Sequence, residues 1–221
     1  MKLGIKLIVV LSLFATMAYG QAVPKAPAKG NSWLGSFSSL FTYPAAARLE
    51  LTDLYGQPLS LQDYRGRVVV VSFIDKKSQK EAIEWVESLP ADFLGLPKLA
   101  FVNIIFPGGI SFLVPRPKVV KRLRGDIESV RQSMRHSLSP DEREKLKKTT
   151  IRWAADWKRH HSSRWGVIRH RVNVFIVDSQ GRLRDTLRGM NDSTTKRVSL
   201  LLPRLLKDAQ APKPSTKEGE K

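Results

Sequence analysis

Four histidines are the side chains best suited to hold a metal or move a proton near neutral pH, and all fall late in the chain, at His136, His160, His161 and His170. Asp156 and His160 stand four positions apart, so a helix through both would put them on one face at a spacing that can bind zinc, with His170 as the third candidate ligand. The competing reading is electrostatic. A segment ending in "KRHHSSRW" also has the cations that a helix C-terminus favours. No resident metal or other cofactor is expected, and Asp156, His160 and His170 stay open as the set a metal-dependent enzyme would use.

A second group is Ser78 and Glu81 in "SQKE". Ser with Glu three residues later, at the start of a helical pattern, forms a capping box: the hydroxyl satisfies a free amide of the first turn, and the carboxylate reaches back to the Ser amide. A serine nucleophile needs an adjacent base, and none is identifiable nearby. The sequence has no cysteine, which excludes disulfides, thiol catalysis, thiolate metal ligands and iron–sulfur clusters. A nucleophile elbow, a phosphate-binding glycine loop, a calcium loop and paired carboxylates are also absent.

The third group is cationic. The chain carries a formal charge of +18, concentrated between Arg116 and Arg171, where seventeen Lys and Arg face six Asp and Glu. Lys118, Lys121, Arg122, Arg124, Arg131, Arg135, Lys145, Lys148, Arg152 and Arg159 are the residues expected to meet an anionic partner. Trp153, Trp157 and Trp165 are interleaved with them, as on surfaces that combine phosphate contact with base stacking. However, Trp153 and Trp157 fall on the apolar face of an expected helix, which assigns them to packing.

These groups need elements to carry them. "RLELTDLYGQPLSLQDYRG" alternates around a turn at Gly56 to Pro58 and reads as a hairpin. "RVVVVSFID" is a run of β-branched and aromatic residues without alternation, the pattern of a central strand buried on both faces, and "LAFVNIIF" reads as a second buried strand. Between them Ser78 to Leu89 reads as a helix, with Ala82, Val86 and Leu89 at helical spacing and Pro90 ending it. Val120, Leu123, Ile127, Val130 and Met134 define a helix from Pro117 to about His136. Ser139, Pro140 and Glu142 open another, whose apolar face would be Leu146, Thr150, Trp153, Ala154 and Trp157. Val172 to Val177 and Leu183 to Leu187, joined at Asp178 to Gly181, form a closing hairpin. A last helix runs from Ser193 to about Asp208 and contains Pro203.

The paired segments "LTDLYGQPLSLQDYRGRVVVVSF" and "WGVIRHRVNVFIVDSQGRL" resemble the opening and closing of the thioredoxin-like redoxins. That resemblance implies an α/β, three-layer thioredoxin-like fold: a central mixed sheet flanked by helices, with a long basic helical insert at about 115–165 before the closing hairpin. In that family the loop after the first buried strand carries the redox cysteines. Here Ser78 and Glu81 stand nearest those positions, so the resemblance implies a degenerate member without thiol activity. The family's cis-proline before its third buried strand also has no counterpart at Arg171 to Asn173.

Residues 1–20 have the three-part layout of a secretory signal peptide, with cleavage expected before Gln21 and a periplasmic or secreted product. A retained N-terminal anchor is the alternative. Residues 21–46 read as an extended linker with a short apolar segment from Trp33 to Phe41. Residues 47–210 form the expected domain, and 211–221 a disordered tail. The expected function is non-enzymatic: an exported binding or scaffold protein whose basic insert engages an acidic protein or an anionic envelope component, with peripheral membrane contact. A metal-dependent enzyme and a nucleic-acid-binding protein are the alternatives, and export disfavours the latter.

Overall fold

The structure is a computed structural model that describes residues 48–107, 114–189 and 191–210. The expected leader, linker, Trp33 to Phe41 segment and tail lie outside the described residues. The first hairpin, β1 (Glu50–Thr52) and β2 (Pro58–Ser60), pairs antiparallel as a separate two-stranded sheet and leads into a 3-10 turn at Leu61–Tyr64. Five further strands follow: β3 (Val68–Ile74), β4 (Leu99–Ile105), β5 (Thr150–Ala155), β6 (Asn173–Val177) and β7 (Leu183–Arg188). They form one sheet in the order β5-β4-β3-β6-β7. β3, β4 and β5 are mutually parallel, while β6 runs antiparallel to β3 and β7 to β6. The helices are α1 (Gln79–Ser88), α2 (Arg116–Ser137), α3 (Pro140–Lys148), α4 (His160–Arg164) and α5 (Asp192–Gln210).

The unalternating run of β3 is explained by its central place. Val69, Val71 and Phe73 enter one core layer with Val102, Ile104, Phe175 and Val177, covered by Leu49, Leu59, Leu61 and Tyr64 of the first hairpin region. Val68 and Val70 enter the opposite layer, where Ala82 and Trp85 of α1 and Val198, Leu202, Leu205 and Leu206 of α5 close over Val174, Ile176 and Leu187. Each buried aliphatic side chain contributes about 1.5–3 kcal/mol, so a polar residue in place of Val69, Val71 or Phe73 would break one layer, and in place of Val68 or Val70 the other. α5 continues through Pro203, which is exposed, while Leu202 beside it is fully buried.

The insert departs from expectation. α3 begins on Ser139 with the expected capping box, but it stops at Lys148. Thr150 to Ala155, read as the apolar face of that helix, is strand β5, paired in parallel with β4 from Ala100↔Thr150 to Ile105↔Ala155. The cause is tertiary: β4 is buried, its outer edge needs hydrogen-bond partners, and the β-branched Thr149, Thr150 and Ile151 suit a pleated strand better than a helix. Consequently α2 and α3 are the crossover between two parallel strands and not a free-standing appendage. Leu123 and Ile127 of α2 pack with Leu54 and Ala155, and Trp153 and Trp157 lie against the same cluster.

Candidate functional site

Ser78 and Glu81 lie where β3 ends and α1 begins. Asp75 organises the turn. Its Oδ1 accepts from the N–H groups of Lys77 (2.9 Å) and Ser78 (2.8 Å). The Ser78 hydroxyl turns back onto Asp75, accepting from its N–H at 2.9 Å and donating to its carbonyl at 3.2 Å. Ser78 is buried and has φ −89° and ψ 4°, away from the extended backbone of an N-cap, and it makes no side-chain cap. The expected capping box is therefore absent. The hydroxyl is thus held on both sides by the backbone of Asp75.

Glu81 is also committed elsewhere. Its Oε2 accepts from the N–H of Val172 at 2.6 Å, in the loop before β6. In the same loop the N–H of His170 donates to Asp75 Oδ2 at 2.8 Å, and His170 Nδ1 lies 3.4 Å from that oxygen. Two carboxylates thus fasten the β3–α1 turn to the loop facing it. The facing loop is fixed from inside by the fully buried Asn173, whose Oδ1 accepts from Ile168 N–H and whose Nδ2 donates to the carbonyls of Ile168 and Arg171. His170 has φ 65°, a left-handed conformation unusual for a residue with a side chain, and its link to Asp75 holds it there. Burial alone would raise the Asp75 carboxyl above its ordinary value. The N–H groups of His170, Ser78 and Lys77 outweigh that and hold it below. Gly189 closes the third side with φ 79°. A Cβ there would sit 2.9 Å from Glu81 Oε1 and 3.1 Å from Arg171 Nη1.

Beneath this turn are four aromatic rings. Phe73 lies 5.8 Å from Phe106, 5.7 Å from Trp165 and 5.5 Å from Phe175, and Trp165 meets Phe175 edge-on at 4.8 Å. Trp165 is buried in the core, so among the described residues it is not part of a base-stacking surface.

The candidate metal ligands are separated. Asp156 precedes α4 instead of sharing its face. Its carboxylate accepts from the N–H groups of His160 (3.1 Å) and Ser162 (2.8 Å), while His170 sits at Asp75. Among the described residues no group of three or more His, Asp or Glu is placed to hold a metal ion.

The cationic candidates divide into two kinds. Lys118, Lys121, Arg122, Arg135, Lys145 and Lys148 are exposed on α2 and α3. Arg124 is exposed too, but its Nε donates to the Leu54 carbonyl and its guanidinium lies 5.2 Å from the Tyr55 ring centre. Arg131 pairs loosely with Glu128 at 3.8 Å. Arg152 is structural: its Nη2 lies 2.7 Å from Oδ2 of the buried Asp53, and it also donates to the Pro58 carbonyl. Arg159 has φ 56° and places its guanidinium 5.9 Å from the Phe106 ring centre. Arg152 was expected at the anionic partner. Its carboxylate lies far back in the chain, and nothing local in the sequence shows the pair.

Residues at the far end of β5 were not singled out as a set. Arg48, Glu50, Gln62, His160, His161 and Arg164 line an open cleft of about 510 Å³. His161 is nine-tenths buried there, and burial holds its imidazole below the ordinary histidine value against the opposing pull of Asp156.

Parallel β3-α1-β4, antiparallel β6-β7 and a closing helix, with the turn after β3 facing the loop before β6, define a thioredoxin-like fold. Two of the solved structures that share it are as follows. One is described as a thiol:disulfide interchange protein DsbE from Chlorobium tepidum, with a TM-score of 0.51 and 16% identity over 76% of this chain and 99% of that one. The other is described as a thioredoxin from Neisseria meningitidis, with a TM-score of 0.51 and 14% identity over 76% and 94%. The likeness is one of fold, since no family model matches the sequence. No curated protein matches it either.

Proposed function

We propose that this chain is an exported, non-redox thioredoxin-fold binding protein that presents the solvent face of α2 and α3 to an anionic surface of the cell envelope. The observation that carries this reading is the placement of charge. Lys118, Lys121, Arg135, Lys145 and Lys148 are exposed on the crossover, while the former thiol position is stitched shut by Asp75 and Glu81. α2 alone is 22 residues long, a rod of roughly 33 Å at 1.5 Å per residue. Its apolar stripe, Leu123 and Ile127, is turned toward β5, which leaves the cations outward. The leader-like residues 1–20 support export, and among the described residues no helix is long and apolar enough to cross a membrane.

The test is binding of the chain from Gln21 onward to vesicles containing phosphatidylglycerol, across a salt series. Exposed charges are screened within about 8 Å at physiological salt, so affinity should fall steeply with salt. It should be lost when Lys118, Lys121, Arg135, Lys145 and Lys148 are changed together to Glu. Binding that ignores salt, or survives that replacement, refutes the reading. Salt-sensitive capture of an acidic envelope protein without vesicle binding would move the target from lipid to protein.

A further inference from the structure

We propose that the cleft between β1, the Leu61–Tyr64 turn and α4 is a second binding site, specific for a small phosphate monoester carrying hydroxyl groups. Its volume, about 510 Å³, lies within the roughly 300–1,000 Å³ of small-molecule sites. Arg48 and Arg164 bring two guanidinium forks to the same opening, the group best matched to a phosphate oxyanion. His160 and His161 stand beside them with ring centres 5.3 Å apart and nearly perpendicular. Glu50 and Gln62 are the remaining lining residues. One carboxylate against two guanidiniums leaves the opening cationic. The Glu50 carboxylate and the Gln62 amide oxygen supply acceptors for hydroxyl groups on the esterified part.

A second observation separates this cleft from an ordinary basic surface. His161 hydrogen-bonds to the Glu50 backbone, yet its Nδ1 is enclosed and has no partner among the described residues. An unpaired buried polar atom costs about 1–3 kcal/mol, and proteins rarely leave one without a role. A small turn of the imidazole would open Nδ1 to the cleft, where a ligand hydroxyl or a protonated phosphate oxygen would complete it. The cleft is also independent of the α2 and α3 cations, since neither helix contributes a lining residue.

The experiment titrates the full chain with glycerol 3-phosphate and with inorganic phosphate, by calorimetry and by phosphorus NMR. Glycerol 3-phosphate should saturate with a dissociation constant below about 1 mM, about −4 kcal/mol, and should bind more tightly than inorganic phosphate. The double variant Arg48→Gln/Arg164→Gln, both exposed positions, should retain its circular dichroism and lose at least tenfold in affinity. Lys118→Gln/Lys121→Gln should bind as the parent does, which keeps this test distinct from that of the α2 and α3 face. Vesicles carrying phosphatidic acid form the second arm: binding displaced by glycerol 3-phosphate identifies a lipid headgroup as the source, and vesicle binding that glycerol 3-phosphate leaves unchanged identifies a free ester. Absence of saturation up to about 10 mM, or equal losses in the two double variants, overturns the proposal.

Discussion

Replacing Glu81 with Ala should loosen the protein far more than its position in the first turn of a partly exposed helix suggests. The Oε2 to Val172 N–H bond is 2.6 Å long, and Val172 is fully buried. Hydrogen bonds to charged groups contribute about 1.5–3 kcal/mol, and an abandoned buried amide costs about 1–3 kcal/mol. Glu81 itself is half-buried, so water reaches part of the gap and the loss should be about 2 kcal/mol. With a urea slope of about 2 kcal/mol/M for a domain of this size, the unfolding midpoint should fall by about 1 M. Glu81→Gln keeps an acceptor oxygen but not the charge, and should lose about half as much. Lys80→Ala, one residue away and exposed, should stay within about 0.5 kcal/mol. If Glu81→Ala shifts the midpoint no more than Lys80→Ala, the carboxylate does not fasten the two loops and the account of the sealed turn is wrong.

Gly189→Ala should cost about 1–2 kcal/mol from its left-handed backbone alone. Because its methyl would meet Glu81 Oε1, the cost in a Glu81→Ala background should be smaller, and a double-mutant cycle in urea reads that difference. Arg152→Ala should destabilise by about 2–3 kcal/mol by stranding Asp53, while vesicle binding stays at the parental level. A loss of binding with unchanged stability would return Arg152 to the partner surface. Burial lowers the His161 value from the ordinary 6.5 in the folded state against the pull of Asp156, so the unfolded chain takes up the proton first as pH falls. Stability should therefore fall as pH drops below about 6.5, and His161→Gln should flatten the dependence between pH 7.5 and 5.5. An unchanged slope in that variant removes His161 as its source. Asp75 acts in a more acidic window: its folded value lies below 3.8, so the stability it adds is present above that value and disappears as pH falls through the folded one.

The central sheet was legible wherever one segment's pattern admitted one structure. The doubly buried run of β3, the strand β4, the turn of β6-β7 and the Leu123 and Ile127 positions of α2 stand where the sequence places them. What could not be read depended on partners distant in the chain. Thr150 to Ala155 fits a helical stripe as well as a strand, and only the open edge of β4 decides between them. Ser78 and Glu81 satisfy the capping-box pattern, but a stronger demand, the buried amide of Val172, takes the carboxylate. Arg152 looks like its basic neighbours until Asp53 is brought alongside it. The cleft of Arg48, Gln62, His161 and Arg164 draws on three separate segments, and no local spacing announces it.

The crossover position of α2 and α3 has a consequence for how the molecule opens. β5 is the outermost strand on its side of the sheet, held by β4 along one edge and near the other by the Asp53 to Ala154 bridge, the Leu54 N–H on the Trp153 carbonyl and the Arg152–Asp53 ion pair. Partial unfolding that frees β5 would release the docking ground of α2 and the strand to which α3 leads, while β3, β6 and β7 keep their hydrogen bonds. Amide exchange should therefore show α2, α3 and β5 losing protection as one cooperative block, ahead of the strands that carry the sealed turn.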